Sequence, residues 1–279
     1  MPTFSTTSTP GTVIHYEDIG GHGRTPVVLI HGWPLSHRMW EGQINALTEA
    51  GYRCVAYDRR GFGESGRPTE GYDYDTFASD LNDLVRTLAL KDATLVGFSM
   101  GGGEVVRYLS QYGDEGRVAK AVLIGAVPPY LLKAADNPEG VDGSVFEGMS
   151  AAVTHDRISF LGQFFPNFYN LDAEGRDIGA DTLAWVKSIA WNASPLATRQ
   201  CITAFGTTDF RADLSAITVP TLVVHGDADR IVPLDISGRK SAAAIAGSRL
   251  EVITGAPHGL TVTHGDVLNA LLLEFLATA

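Results

Sequence analysis

The run Ala93-Thr94-Leu95-Val96 passes straight into Gly97-Phe98-Ser99-Met100-Gly101-Gly102-Gly103, and a helical pattern follows from Glu104 to Tyr112. This is G-x-S-x-G at a strand-to-helix junction. A turn this sharp leaves no room for a side chain at Gly97 or Gly101, and it lifts Ser99 above the strand ends with its hydroxyl outward. The five-residue pattern alone is weak in a chain with 31 glycines among 279 residues. The strand before it and the helix after it give it weight.

The rest of the chain repeats that alternation. Short β-prone runs occur at Val27–Ile30, Val55–Tyr57, Ala121–Ile124, Thr221–Val224 and Leu250–Ile253, and Thr12–Tyr16 suits an edge strand. Between them lie segments with apolar spacing near 3.6, such as Phe77, Leu81, Leu84, Val85 and Leu88. Strands alternating with helices predict a mostly parallel sheet covered on both faces. The rhythm stops between Pro128 and Ser215, where no convincing strand appears. Pro128-Pro129 and Asn137-Pro138-Glu139-Gly140 are turn signals at the entrance, and Val219-Pro220 restarts the sheet. A core of residues 1–127 and 216–279 with a helical cap at 128–215 is therefore expected. Of the cap aromatics, Phe146, Phe160, Phe164, Phe165, Phe168, Tyr169, Trp185 and Trp191, most are expected in the cap core and a minority against a ligand.

A serine hydroxyl needs a base, and the base needs a carboxylate that fixes its tautomer. Two later strands end in suitable loops. Thr221–Val224 leads to His225-Gly226-Asp227-Ala228-Asp229, and Leu250–Ile253 leads to Gly255-Ala256-Pro257-His258-Gly259. The order Ser, Asp, His is the one expected for this junction. His258 is the expected general base and Asp229 its orienting acid. Asp227 competes for that role, but it directly follows Gly226 and better suits accepting backbone hydrogen bonds in the turn. A metal reading of His225, Asp227 and Asp229 is thin, because no second cluster of His, Cys or acid shows metal-ligand spacing.

A tetrahedral intermediate needs backbone donors for its oxyanion. The N–H of Met100, directly after the nucleophile, is one. The other is expected from His31-Gly32-Trp33-Pro34, through the main-chain N–H of Trp33. Pro34 has no N–H and restricts the conformation of Trp33. His31 reads as a structural residue bonded to the loop backbone. Gly61-Phe62-Gly63-Glu64-Ser65-Gly66 matches G-x-G-x-x-G, but Pro68 and a turn-rich stretch to Tyr74 follow instead of a helix. It is expected to be a structural loop and not a dinucleotide site.

Composition narrows the partners. With 21 Lys+Arg against 32 Asp+Glu the formal net charge is −11, which disfavours nucleic acid. No apolar stretch approaches the ~20 residues of a membrane span, and residues 1–13 lack the basic start and apolar stretch of a secretion signal. A soluble, cytoplasmic protein is expected. Cys54 and Cys201 read as two buried thiols.

At these residues the chain resembles the α/β-hydrolases over nearly its whole length. The segments His31–Ser36, Tyr57–Gly63, Val96–Glu104 and His225–Pro233 resemble the cofactor-free haloperoxidases and their relatives, which include bacterial aryl esterases and a γ-lactamase. Asp136–Val141 and Asn167–Asp172 resemble the lactamase branch. The resemblance implies an eight-stranded, mostly parallel sheet flanked by helices, with a helical cap insertion. It implies Ser99, Asp229 and His258 as a triad, Trp33 and Met100 as the oxyanion hole, and no haem, metal or other cofactor. It also implies an acyl-enzyme whose acyl group passes to water or to hydrogen peroxide, the latter giving a peracid. Pro34 matches the peroxidase-type members, where the carbonyl it sets favours peroxide. Phe146, Phe160, Phe164 and Ile231, with Pro34, are implied as lining the substrate pocket. The expected partner is a small ester, lactam or peracid-forming carboxylic acid, with a homo-oligomer left open. Amide or lactam hydrolysis by the same triad and a non-catalytic small-ligand receptor are the alternatives. A dehalogenase or epoxide hydrolase would carry Asp at position 99.

Overall fold

The computed structural model describes residues 2–21 and 25–278. Eight strands form one sheet in the order β1-β2-β4-β3-β5-β6-β7-β8. They are β1 (Thr3–Ser5), β2 (Val13–Gly20), β3 (Pro26–Ile30), β4 (Arg53–Tyr57), β5 (Ala93–Phe98), β6 (Val118–Ile124), β7 (Thr221–Gly226) and β8 (Arg249–Ile253). Strands β3 to β8 run parallel to their neighbours, while β1 and β2 are antiparallel. The strand expected at Thr12–Tyr16 is therefore β2, one place in from the edge. The true edge is β1, whose three residues are too short for a periodic signal.

Every residue of β3, β5 and β7 is buried, which is why these strands read as unbroken apolar runs. Helices α1 (Glu41–Glu49), α2 (Tyr74–Thr87), α3 (Met100–Tyr112), α8 (Gly238–Ala244), α9 (Leu260–Thr263) and α10 (Gly265–Ala277) accompany the sheet. In α2, the Asp73 side chain caps the first turn by accepting from the Thr76 N–H, and Phe77, Leu81, Leu84 and Val85 form the buried face.

Between β6 and β7 lie α4 (Gly143–Phe168), α5 (Ala180–Trp191), α6 (Pro195–Thr207) and α7 (Arg211–Ser215). Helix α4 breaks at Asp156, whose backbone leaves the helical region and whose carboxylate accepts from the Ser159 N–H to start the second half. Phe165, Phe168 and Tyr169 are buried there, as expected. Trp185 and Trp191 are not: they are 38% and 39% exposed, correcting their assignment to the cap core. Arg38 covers the Trp185 ring, and the Trp191 indole N–H donates to the Ile158 carbonyl. Both thiols are buried and unpaired, and burial pushes each up to about 12.

The connection from β3 leads to β4 on one side, and the chain then crosses back to place β5 on the other side of β3. In such a sheet, ligands bind outside the carboxyl ends of the strands at this switch point. The loops after β3 and β5 both open there. Among the described residues no helix is long and apolar enough to cross a membrane.

Candidate active site

Ser99 stands between β5 and α3 at φ 54° and ψ −119°, a conformation that costs a non-glycine residue about 1–3 kcal/mol. The surroundings hold it there. Its N–H donates to the Ile124 carbonyl on the neighbouring strand, and its carbonyl accepts from the N–H groups of Gly102 and Val127. A Cβ on Gly97 would lie 2.5 Å from the Gly101 carbonyl oxygen, and one on Gly101 would lie 2.4 Å from that of Ile30. These contacts are with backbone, so no side-chain movement could relieve them.

His258 follows β8 and is 1% exposed. Its Nε2 lies 2.9 Å from Ser99 Oγ, and its Nδ1 lies 2.7 Å from Asp229 Oδ2. The ring is held between Phe98 and Phe168, with centroids 5.0 and 4.9 Å away. Asp229 spends its other oxygen on the N–H groups of Ile231 and Val232, at 2.9 and 2.8 Å. Burial pushes the Asp229 carboxyl up, but the charge of His258 and hydrogen bonds from His225 and His258 outweigh it, leaving it far below the usual carboxylate range. Asp227 turns elsewhere and accepts from the Gly255 N–H at 2.6 Å, as its place after Gly226 suggested. His225 gives its Nε2 to the Val232 carbonyl at 2.8 Å. With the oxygens of Asp229 so engaged and Asp227 turned away, His225, Asp227 and Asp229 do not form a metal cluster.

Met100 opens α3, so its N–H has no carbonyl one turn earlier to reach. Among the described residues nothing accepts from the Trp33 main-chain N–H. The Trp33 indole is anchored by donating to the Thr198 carbonyl at 2.9 Å. His31 ties the loop down, as expected. It accepts from the Arg59 N–H at Nε2, so the proton must sit on Nδ1, 2.9 Å from the Gly32 carbonyl. Burial pushes His31 down to about 3, and the nearby Arg59 guanidinium adds to the effect. Arg59 also donates to the His31 carbonyl and, at 2.7 Å, to Glu104 on α3. Helix α3 and the Trp33 loop thus share one buried network.

A cavity of about 270 Å³ opens over Ser99 and His258. Trp33, Phe146, Phe160, Phe164 and Ile231 stand on its wall. Pro34 does not: it is buried, and the anchored Trp33 indole, edge-on to Phe164 and Phe205, supplies the loop's face instead. Sequence reasoning missed Phe205, Val127, Leu131 and Met149 on the same wall. A wider cleft of about 770 Å³, lined by Arg38, Glu41, Asp181, Trp185 and Asp266 among others, holds no nucleophile and base pair. The run at 61–66 closes on itself, its Gly61 N–H donating to the Gly66 carbonyl, and it opens no helix.

Comparison with known proteins gives a consistent kinship. Residues 25–264 match the family model of the alpha/beta hydrolase fold. The chain is 44% identical to a non-heme chloroperoxidase of Kitasatospora aureofaciens, covering 97% of this chain and 98% of that one. It is 36% identical to a bifunctional esterase/perhydrolase of Acinetobacter calcoaceticus, with the same coverage of each. The crystal structure of a bromoperoxidase from Bacillus anthracis superposes with a TM-score of 0.92 at 48% identity, over 99% of this chain and 100% of that one.

Proposed function

Since the chain belongs to the α/β-hydrolase family, among its non-haem haloperoxidases and esterase/perhydrolases, we propose that it is a serine esterase that also transfers acyl groups to hydrogen peroxide. The observation that carries this reading is the line of contacts Ser99 Oγ, His258 Nε2, His258 Nδ1 and Asp229 Oδ2, at 2.9 and 2.7 Å, on the floor of an apolar cavity. In this reading the helical segment 128–215 serves as a cap that supplies most of the cavity wall.

Ser99 Oγ attacks the ester carbonyl carbon while its proton passes to His258 Nε2. The carbonyl oxygen becomes an oxyanion and takes hydrogen bonds from the N–H groups of Met100 and Trp33. Asp229 keeps Nδ1 protonated and stabilises the imidazolium; it does not take the proton itself. Collapse of the tetrahedral intermediate breaks the bond to the alkoxy oxygen, which leaves as the alcohol carrying the proton from His258. The acyl group is then an ester on Ser99. Water, deprotonated by His258, attacks it and gives the carboxylic acid. Hydrogen peroxide in the same place gives the peracid, with Ser99 Oγ reprotonated in either case.

The cavity, near the lower end of the ~300–1,000 Å³ common for small-molecule sites, and its phenylalanine-rich wall suit short acyl or aryl esters. No metal or redox group enters this scheme. The test is product partition. With p-nitrophenyl acetate and rising hydrogen peroxide, peracetic acid should replace acetic acid while the total of the two still equals the p-nitrophenol released. Peracid formed in excess of p-nitrophenol, or none at all, contradicts a shared acyl-enzyme.

A further inference from the structure

We infer that His15, Glu17 and His37 form a second site, for a divalent first-row transition ion such as zinc, separate from the cavity over Ser99. The sequence hides it, because His15 and Glu17 belong to β2 while His37 lies on the short 3-10 helix His37–Trp40 that follows the Trp33 loop. Residues two apart on a strand face the same way, so β2 presents both side chains to one side. The fold brings His37 to them, and one ligand atom from each of the three lies within 4.8 Å of the other two.

His15 is 1% exposed, yet its Nε2 has no hydrogen-bond partner among the described residues. A buried ring nitrogen without a partner costs about 1–3 kcal/mol, and a metal bond would offset that. Its ring lies edge-on to His37 at 5.1 Å between centroids. His37 is held for ligation by Asp58, which accepts from its Nδ1 and its main-chain N–H, both at 2.8 Å. A carboxylate on the far nitrogen fixes the tautomer and raises the basicity of a metal-binding imidazole. The near nitrogen, Nε2, lies 3.4 Å from Glu17 Oε1. Ligand bonds of ~2.1 Å in a tetrahedron put neighbouring ligand atoms about 3.4 Å apart.

The remaining position is open to solvent. A small cavity of about 200 Å³ lined by Glu17, His37, Arg38, Glu41 and Ile44 reaches the site and has room for a water ligand. Arg38 is the opposing charge there, against Glu17, Glu41 and the Asp58 carboxylate behind His37. Two imidazoles and one carboxylate select a transition ion over calcium or magnesium, which take oxygen ligands. Bound there, the ion would join β2 to the segment directly after the Trp33 loop.

Titrating the tag-free full-length chain with zinc chloride in a calorimeter should give one ion per chain, and cobalt(II) should give the visible absorption of a tetrahedral centre. His15→Phe keeps a buried ring, and Glu17→Gln changes a side chain that is 39% exposed. Each should weaken zinc binding at least about tenfold, while p-nitrophenyl acetate hydrolysis by the metal-free protein stays unchanged. If His15→Phe fails to fold, Glu17→Gln alone carries the test. Absence of saturable binding overturns the proposal. So does one-to-one binding that survives Glu17→Gln undiminished, which would place the ion elsewhere.

Discussion

Lowering the pH should loosen the Trp33 loop through His31. An unfolded chain would carry this imidazole at its ordinary 6.5, whereas burial in the folded protein holds it at about 3. Between those limits the unfolded state binds more protons, so stability rises with pH and is lost as pH falls from 6.5 toward 3. Each pH unit spent inside the window removes ~1.36 kcal/mol, and the step from pH 7 to pH 5 therefore costs about 2 kcal/mol from this residue. The physical event is specific. A proton on Nε2 replaces the lone pair that accepts from the Arg59 N–H, and the loop loses that tie. His31→Gln offers an acceptor and a donor without titrating in this range. Urea denaturation of both proteins at pH 7 and pH 5 isolates the effect from other titrating groups, since only the difference between their losses counts. That difference should be about 2 kcal/mol in favour of His31→Gln. Equal losses would refute the assignment of a neutral, buried His31.

Three further outcomes follow from the site. Asp229→Asn should leave the fold intact but lower kcat for ester hydrolysis about 10⁴-fold, because an amide no longer fixes the His258 tautomer; steady-state kinetics with p-nitrophenyl acetate measure it. Phe146→Ala should shift acyl preference toward longer chains, with each accommodated methylene worth ~0.8 kcal/mol, about fourfold in kcat/KM relative to acetate. A series of p-nitrophenyl esters reads this directly. Glu104→Ala should destabilise the protein by about 3–5 kcal/mol, since Arg59, 1% exposed, would be left without its counter-charge. Glu104→Gln should cost less in the same denaturation assay, because it still accepts from Arg59.

Much of the site was legible because its parts are local. Ser99 and Asp229 follow fully buried strands, His258 follows the β-prone run Leu250–Ile253, and each loop announces itself by glycine or proline. Parallel neighbours then bring the strand ends together without further information. Features set by packing were not legible. Phe205 faces the cavity because of how α6 lies against α4, and the break at Asp156 upsets any single period through α4. Trp185 and Trp191 read as core by residue type, but both stay more than a third exposed, Trp185 on the wall of the wider cleft and Trp191 reaching the Ile158 carbonyl of α4. The resemblance implies Pro34 on the pocket wall, but the indole of its neighbour Trp33 occupies that wall instead. The His15, Glu17 and His37 cluster depends on residues 20 and more apart meeting at one point, which no spacing rule reveals.

The central claim is a covalent acyl group on Ser99, and trapping with diethyl p-nitrophenyl phosphate tests it most directly. One equivalent should abolish ester hydrolysis and peracid formation together. Intact-mass analysis should show a single diethylphosphoryl adduct, located by peptide fragmentation to Ser99. An adduct on another residue, or full activity in a chain quantitatively labelled at Ser99, would contradict the account.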